Sequence, residues 1–253
     1  MFFQLKLHIL GYFLLLSGVT DLDGATFKVG PGQEFGRIED AYDRARSGDT
    51  IEVHALRGDE AYRGVALQIK KSGLRIIAKP AAGRKTVPIS GEGTDYTGIG
   101  STPRAIFQFH PGADDGLLEG FELHGATNSD GHNGAGVRVW SANRVTIRGC
   151  DIHDNDMGIM SSGDGTLATA QALLIERCKI YRNGSVEKSG LSHNLYLGGT
   201  SIVLRFCEVF ESLDGHNVKS RAHHTRVEHC YVHDSANREF DLVDDLDTEY
   251  PAS

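Results

Sequence analysis

The feature that most narrows what this chain can fold into is a repeat. Cys150, Cys178, Cys207 and Cys230 each sit in the frame apolar-x-x-Cys-x-apolar, within VTIRGCDIHD, LLIERCKIYR, IVLRFCEVFE and TRVEHCYVHD. The intervals are 28, 29 and 23 residues, and an earlier copy, LLEGFELHG, carries Phe121 in the cysteine slot 29 residues before Cys150. A repeat of this length in a β-branched, glycine-rich chain marks a stacked architecture, in which each repeat is one coil lying on the last. Equivalent residues then lie above one another, and that register organises everything below.

Stacking also bears on the cysteines themselves. Equivalent positions on stacked strands are separated by about 4.8 Å, slightly wide for the Cβ–Cβ distance of a disulfide. A ladder of buried free thiols is therefore expected. No CxxC spacing supports zinc. The 31 glycines and only 6 prolines suit short strands joined by tight turns. A net charge of -8 argues against nucleic acid as a partner. The basic residues are unevenly placed, however, with KSRAHHTR (Lys219 to Arg226) forming a local patch.

The first 25 residues read as a secretory signal peptide: Lys6, an apolar run from Ile9 to Leu16, then small and polar residues up to Ala25. The run is shorter than the roughly 20 apolar residues of a membrane span. A secreted or periplasmic protein is expected, with no membrane association once the signal is removed. Residues 26–253 then form one elongated domain without an internal linker.

Within that domain, Ile38, Ala41, Tyr42 and Ala45 make one apolar stripe of a short helix over Phe35 to Arg46, and Thr50 to Val53 alternates as a strand. Gly30-Pro31-Gly32, Ile38, Ala41, Ala45 and Gly48-Asp49-Thr50-Ile51-x-Val53 together resemble the N-terminal cap of secreted right-handed parallel β-helix proteins of the pectate-lyase type. The resemblance implies an all-β, single-stranded right-handed parallel β-helix whose open end is covered by this helix. From Leu74 onward short strands and turns alternate, enough for about seven coils. After the last strand-like segment, Glu239 to Asp245, no capping element is apparent. Either the coil is truncated, the reading favoured, or Tyr250 and Pro251 fold back over its end; the expectation is a monomer or end-to-end association through an uncapped edge.

Aligning the strand after each cysteine turn gives an inward column of Val137, Ile159, Leu195, Val218 and Phe240. Side chains alternate along a strand. One outward column therefore reads Arg138, Met160, Tyr196, Lys219, Asp241, and the other Gly136, Gly158, Asn194, Asn217, Glu239. Arg221 extends the face, and Ser192-His193-Asn194 and Gly215-His216-Asn217 share a His-Asn pair. A solvated polar surface is the default for such residues, and His193 and His216 can equally turn inward and bond the backbone. As a cluster, these residues outline a site on adjacent rungs. His153 and His233 share one slot and suggest a structural stack, whereas His132 reads as a loop residue.

GHNVKSR also resembles the lysine strand of β-helix polysaccharide lyases acting on chondroitin or alginate. The resemblance covers Val218-Lys219-Ser220, with Asp214 five residues before the lysine and Arg238 nineteen after it, although Glu239 and Asp241 occupy the strand where such lyases carry an arginine. It implies β-elimination on a uronate. Lys219 removes the C5 proton, Tyr196 or His216 protonates the leaving oxygen, and Asn194, Asn217, Arg221 or a calcium ion neutralises the carboxylate. His193, Arg138 and Arg238 would bind substrate, and Asp214, Glu239 and Asp241 would hold calcium. The partner is an anionic polysaccharide. Two other readings stay open: a polygalacturonase-like hydrolase using the acids of Glu239, Asp241, Asp244 and Asp245, and a non-catalytic carbohydrate-binding or surface coil.

Overall fold

The structure, a computed structural model, describes residues 24–162, 168–186 and 192–243. It is a right-handed parallel β-helix. The described strands form three parallel sheets of eight, seven and seven strands. The chain visits them in rotation. In one coil, Thr146–Arg148 lies in the first sheet, Asp151–His153 in the second and Met157–Ser162 in the third. Each strand pairs in register with its equivalents in the coils before and after: Ile147 lies beside Leu118 and Ile175, and Ile152 beside Leu123 and Ile180. Seven complete coils follow the first strand, Thr26–Val29, as the repeat predicts.

The expected helix forms over Ile38–Arg44, a shorter span than the apolar stripe outlines. Ala45 already has extended backbone angles, yet it stays buried with Ile38 and Ala41. Asp49 fastens this segment down. Its carboxylate accepts the N–H of Ala25 at 2.7 Å and that of Arg46 at 2.6 Å, tying the chain before the first strand to the chain after the helix.

Inside the coil, stacked columns of apolar side chains make a continuous core. Val137, Ile159, Leu195 and Val218 are fully buried, in the register expected of them. Each such side chain contributes about 1.5–3 kcal/mol on burial. Phe240 keeps the register beside Val218 but is 41% exposed, so the core thins in the last coil. A C-terminal cap would lie beyond residue 243, and the signal segment almost wholly before residue 24; both are outside the described residues.

Two corners carry the ladders that hold the coils in step. At the first, a residue with positive φ precedes each cysteine: Gly149 (58°), Arg177 (53°), Phe206 (55°) and His229 (52°). The sharp turn aims each thiol inward, where it donates to the carbonyl two residues back at 3.2–3.3 Å. Phe121 fills the same slot one coil earlier, fully buried. All four cysteines are free; Cys150, Cys178 and Cys207 are buried and Cys230 is partly exposed. Burial raises the thiol pKa of Cys178.

The second corner carries asparagines. Asn155 donates through Nδ2 to Oδ1 of Asn183, Asn183 to Asn194, and Asn194 to Asn217, at 3.0, 2.9 and 2.7 Å. Asn217 closes the series on Oε2 of Glu239 at 2.5 Å. On the outside of the second sheet the rings of His124, His153, Tyr181, Phe210 and His233 stack in order, with centroids 4.8–5.5 Å apart. The slot shared by His153 and His233 is therefore a structural stack, as expected.

Candidate functional site

The third sheet supplies the candidate site. Its first outward column has the predicted register: Arg138 beside Met160, Met160 beside Tyr196, Tyr196 beside Lys219, and Lys219 beside Asp241. Gln108 continues it below Arg138. Alternation along short, regular strands is enough to place these side chains on one face.

On that face a cavity of about 260 Å³ is lined by Met160, Tyr196, Lys219, Arg221 and His193, with Met157 and the loop residues Gly131, His132 and Asn133 completing it. Four of the predicted residues thus meet in one place. The ammonium of Lys219 lies 6.0 Å from the centre of the Tyr196 ring and 3.6 Å from Oδ2 of Asp241.

His193 is almost completely buried, and its ring stacks between Tyr196 at 5.7 Å and His216 at 5.1 Å. Its Nδ1 accepts the backbone N–H of His216 at 2.9 Å. An acceptor nitrogen carries no proton, so the neutral ring bears its hydrogen on Nε2. Burial, followed by the charges of His216 and Lys219, pushes the His193 pKa down to about 4. His193 is therefore a neutral hydrogen-bond donor at ordinary pH. His216 sits one rung further, with Nε2 3.2 Å from Oδ2 of Asp241. Its Nδ1 is buried without a hydrogen-bond partner among the described residues. Burial also lowers its pKa, against the opposing pull of Asp241.

Asp241 is the hub behind the cavity. Arg238 donates to its Oδ1 at 2.6 Å, while His216 and Lys219 approach Oδ2. Burial works against its ionisation, but the Arg238 hydrogen bond and the charges of His216 and Lys219 outweigh that and hold its pKa below the ordinary value.

The second expected outward column is corrected. Asn194 and Asn217 are fully buried members of the asparagine ladder, and Glu239 turns the same way to end it. These three residues stand at a bend before the strand, where alternation does not apply. Gly136 and Gly158 in the same slot mark how tight it is: a Cβ on Gly158 would come within 2.3 Å of the carbonyl oxygen of Asn194. Asn194 and Asn217 thus have no free amide to offer a substrate.

The expected calcium ligands do not come together either. Glu239 accepts from Asn217 and from the N–H of Ser235, whereas Asp241 faces outward into its cationic cluster. Asp214 lies near enough to favour protonation of His193 and His216 but does not line the cavity. Among the described residues no three His, Cys, Asp or Glu side chains converge as metal donors. Arg238 is largely exposed and turned to Asp241 instead of the cavity. Asp244 and Asp245 are outside the described residues.

Sequence reasoning missed His132 and Asn133, which line the cavity from a loop, and Trp140, two residues beyond Arg138 on the same strand and therefore outward by the same alternation.

No family model matches this chain, and no curated protein sequence matches it. Among solved structures it is similar to the pectin methylesterase from Aspergillus niger, at 12% identity over 85% of each chain with a TM-score of 0.41. The β-helix assignment rests on the strand pairings themselves.

Proposed function

We propose that this protein cleaves a uronate-containing polysaccharide by β-elimination at the cavity under Tyr196 and Lys219. The observation that carries the reading is the convergence there of an amine, a phenol, a guanidinium and a neutral imidazole N–H. In the reaction the unprotonated amine of Lys219 takes the C5 proton. Electrons of that C–H bond form the C4–C5 double bond as the C4–O bond breaks, and the phenol of Tyr196 gives its proton to the departing oxygen. Arg221 and the Nε2–H of His193 stabilise the charge that builds on the uronate carboxylate, the part earlier expected of Asn194 and Asn217. The carboxylate of Asp241 is 3.6 Å from the Lys219 nitrogen.

A hydrolase needs two carboxyl groups flanking the scissile bond, and the described residues lining this cavity include no carboxylate. A purely binding role has one observation in its favour: the Lys219 nitrogen on the cavity wall is ion-paired to Asp241 at 3.6 Å. Export fits the N-terminal segment, and among the described residues no helix is long and apolar enough to cross a membrane.

The test is incubation with pectate, alginate, chondroitin and heparan polymers, following ultraviolet absorbance of unsaturated uronate ends alongside reducing sugar. Unsaturated ends from at least one polymer, lost in Lys219→Ala, support elimination. Reducing sugar without unsaturation means hydrolysis, and retained binding with neither product means a binding coil.

A further inference from the structure

A second feature of this face has no part in the cavity. Trp140 closes the strand Ala135–Trp140 and is 42% exposed. The guanidinium of Arg138 lies 5.7 Å from the centre of the indole ring. The ring of His110 meets the indole edge-on at 5.4 Å. On the next rung Trp140 pairs with Ser162, a side chain too short to cover the indole.

Arg138 is unusual among the arginines of this chain. Arg144, Arg148, Arg182 and Arg205 each hold a carboxylate within hydrogen-bond distance. Arg138 is half-buried, and its Nε is shut away from solvent without a hydrogen-bond partner. No carboxylate pairs with it among the described residues; burial first and then the like charge of Arg104 work against its charged form. A guanidinium withdrawn from water and left unpaired is costly unless an anion completes it. His110 does not compete. The amide nitrogen of Gln108 lies 3.0 Å from its Nε2, and an amide N–H only donates, so Nε2 is an acceptor. Burial, with the charges of Lys70 and Arg138, further lowers the His110 pKa and keeps the ring neutral.

We infer that Arg138, Trp140 and His110 form a distal subsite for one acidic sugar unit, with the pyranose ring packed on the indole and its carboxylate on the guanidinium. An aromatic surface beside a cation matches a uronate, which has an apolar ring face and one negative charge. Arg138 is three rungs from Lys219 along the paired column, or about 14 Å at the strand spacing. The subsite therefore takes a different sugar unit from the one being cleaved. The inference rests on the polysaccharide reading but not on elimination.

Trp140 is the only tryptophan in the chain, so its fluorescence reports this site alone. The experiment titrates the full chain with oligosaccharides of galacturonate, of alginate and of chondroitin, with methyl-esterified oligogalacturonate and sodium sulfate as controls. A saturable change in emission is expected with at least one acidic oligosaccharide and not with the ester. Arg138→Gln should weaken that response about tenfold or more, and Arg138→Lys should fall between it and wild type. Unchanged emission with every acidic oligosaccharide overturns the subsite, as does an equal response to the ester or to free sulfate. Thermal melting of the Arg138 variants separates lost binding from lost folding. A fluorescence response without unsaturated product leaves the subsite standing and removes elimination; product without a fluorescence response does the reverse.

Discussion

The backbone N–H of His216 donates to Nδ1 of His193 at 2.9 Å, so one buried imidazole holds the next rung in place. Protonating His193 destroys that acceptor. Its pKa is pushed from 6.5 to about 4 in the folded protein by burial first and then by the charges of His216 and Lys219, with Asp214 and Asp241 opposing. Between those values the unfolded chain binds the proton and the folded chain does not. The stabilisation is thus complete above the unfolded value and is lost as pH falls toward 4. The displacement corresponds to on the order of 3 kcal/mol. Urea denaturation from pH 7 to 4 should show falling stability, with a shallower slope in His193→Gln. An equal slope in both proteins would assign the acid sensitivity to other groups.

At the reacting end, Lys219→Arg and Tyr196→Phe make a discriminating pair. Arginine keeps a cation beside Asp241 but is no base at any working pH. Lys219→Arg should therefore still bind the acidic polymer and form no unsaturated product. Tyr196→Phe keeps the ring that stacks on His193 and removes only the proton donor. Its kcat should fall about a hundredfold or more with little change in KM. A fall confined to KM would make Tyr196 a binding group.

The asparagine ladder predicts a stability effect. The side chain of Asn183 donates to the carbonyls of Ile152 and Tyr181 and accepts from the N–H of Asn155. Asn183→Ala leaves several buried polar groups unpaired, at about 3 kcal/mol or more. The urea midpoint should drop accordingly with the m-value unchanged.

The thiol ladder makes a chemical prediction. Cys230 is the only one of the four with partial exposure. A bulky maleimide should label about one thiol per native chain, Cys230, because the others are buried, and should do so slowly, because the Cys207 hydrogen bond and burial raise the Cys230 pKa. All four should react after denaturation. Fast native labelling at Cys178 would contradict the inward turn at Arg177.

Much of this architecture can be read directly from residue order. The cysteine frame sets the coil length, and alternation places Arg138, Met160, Tyr196, Lys219 and Asp241 in one column. The same rule fails at Asn194, Asn217 and Glu239 because each stands at a corner, where backbone direction changes and side-chain polarity says little about which way it points. Glycine was the missed cue. Gly136 and Gly158 occupy that slot in earlier coils, where a Cβ would press on Ile152 or the Asn194 carbonyl. A slot that excludes side chains faces inward. The cavity residues His132 and Asn133 were illegible for a different reason: their loop is outside the repeat, so no register carries them to the site.

One consequence of the asparagine series concerns growth of the fold. Its amides all donate in the same direction, and its last acceptor is a carboxylate. Two of its Asn–Asn bonds cross from one coil to the next, Asn155 to Asn183 and Asn194 to Asn217, and the third, Asn183 to Asn194, links the two slots within one coil. Duplicating a whole coil keeps this pattern, whereas inserting a single residue puts the donors after it out of line. The length of the outer face is consequently adjustable in steps of one coil, while its width stays that of one short strand. Such a scaffold can be refitted to a longer or shorter ligand without redesigning its interior.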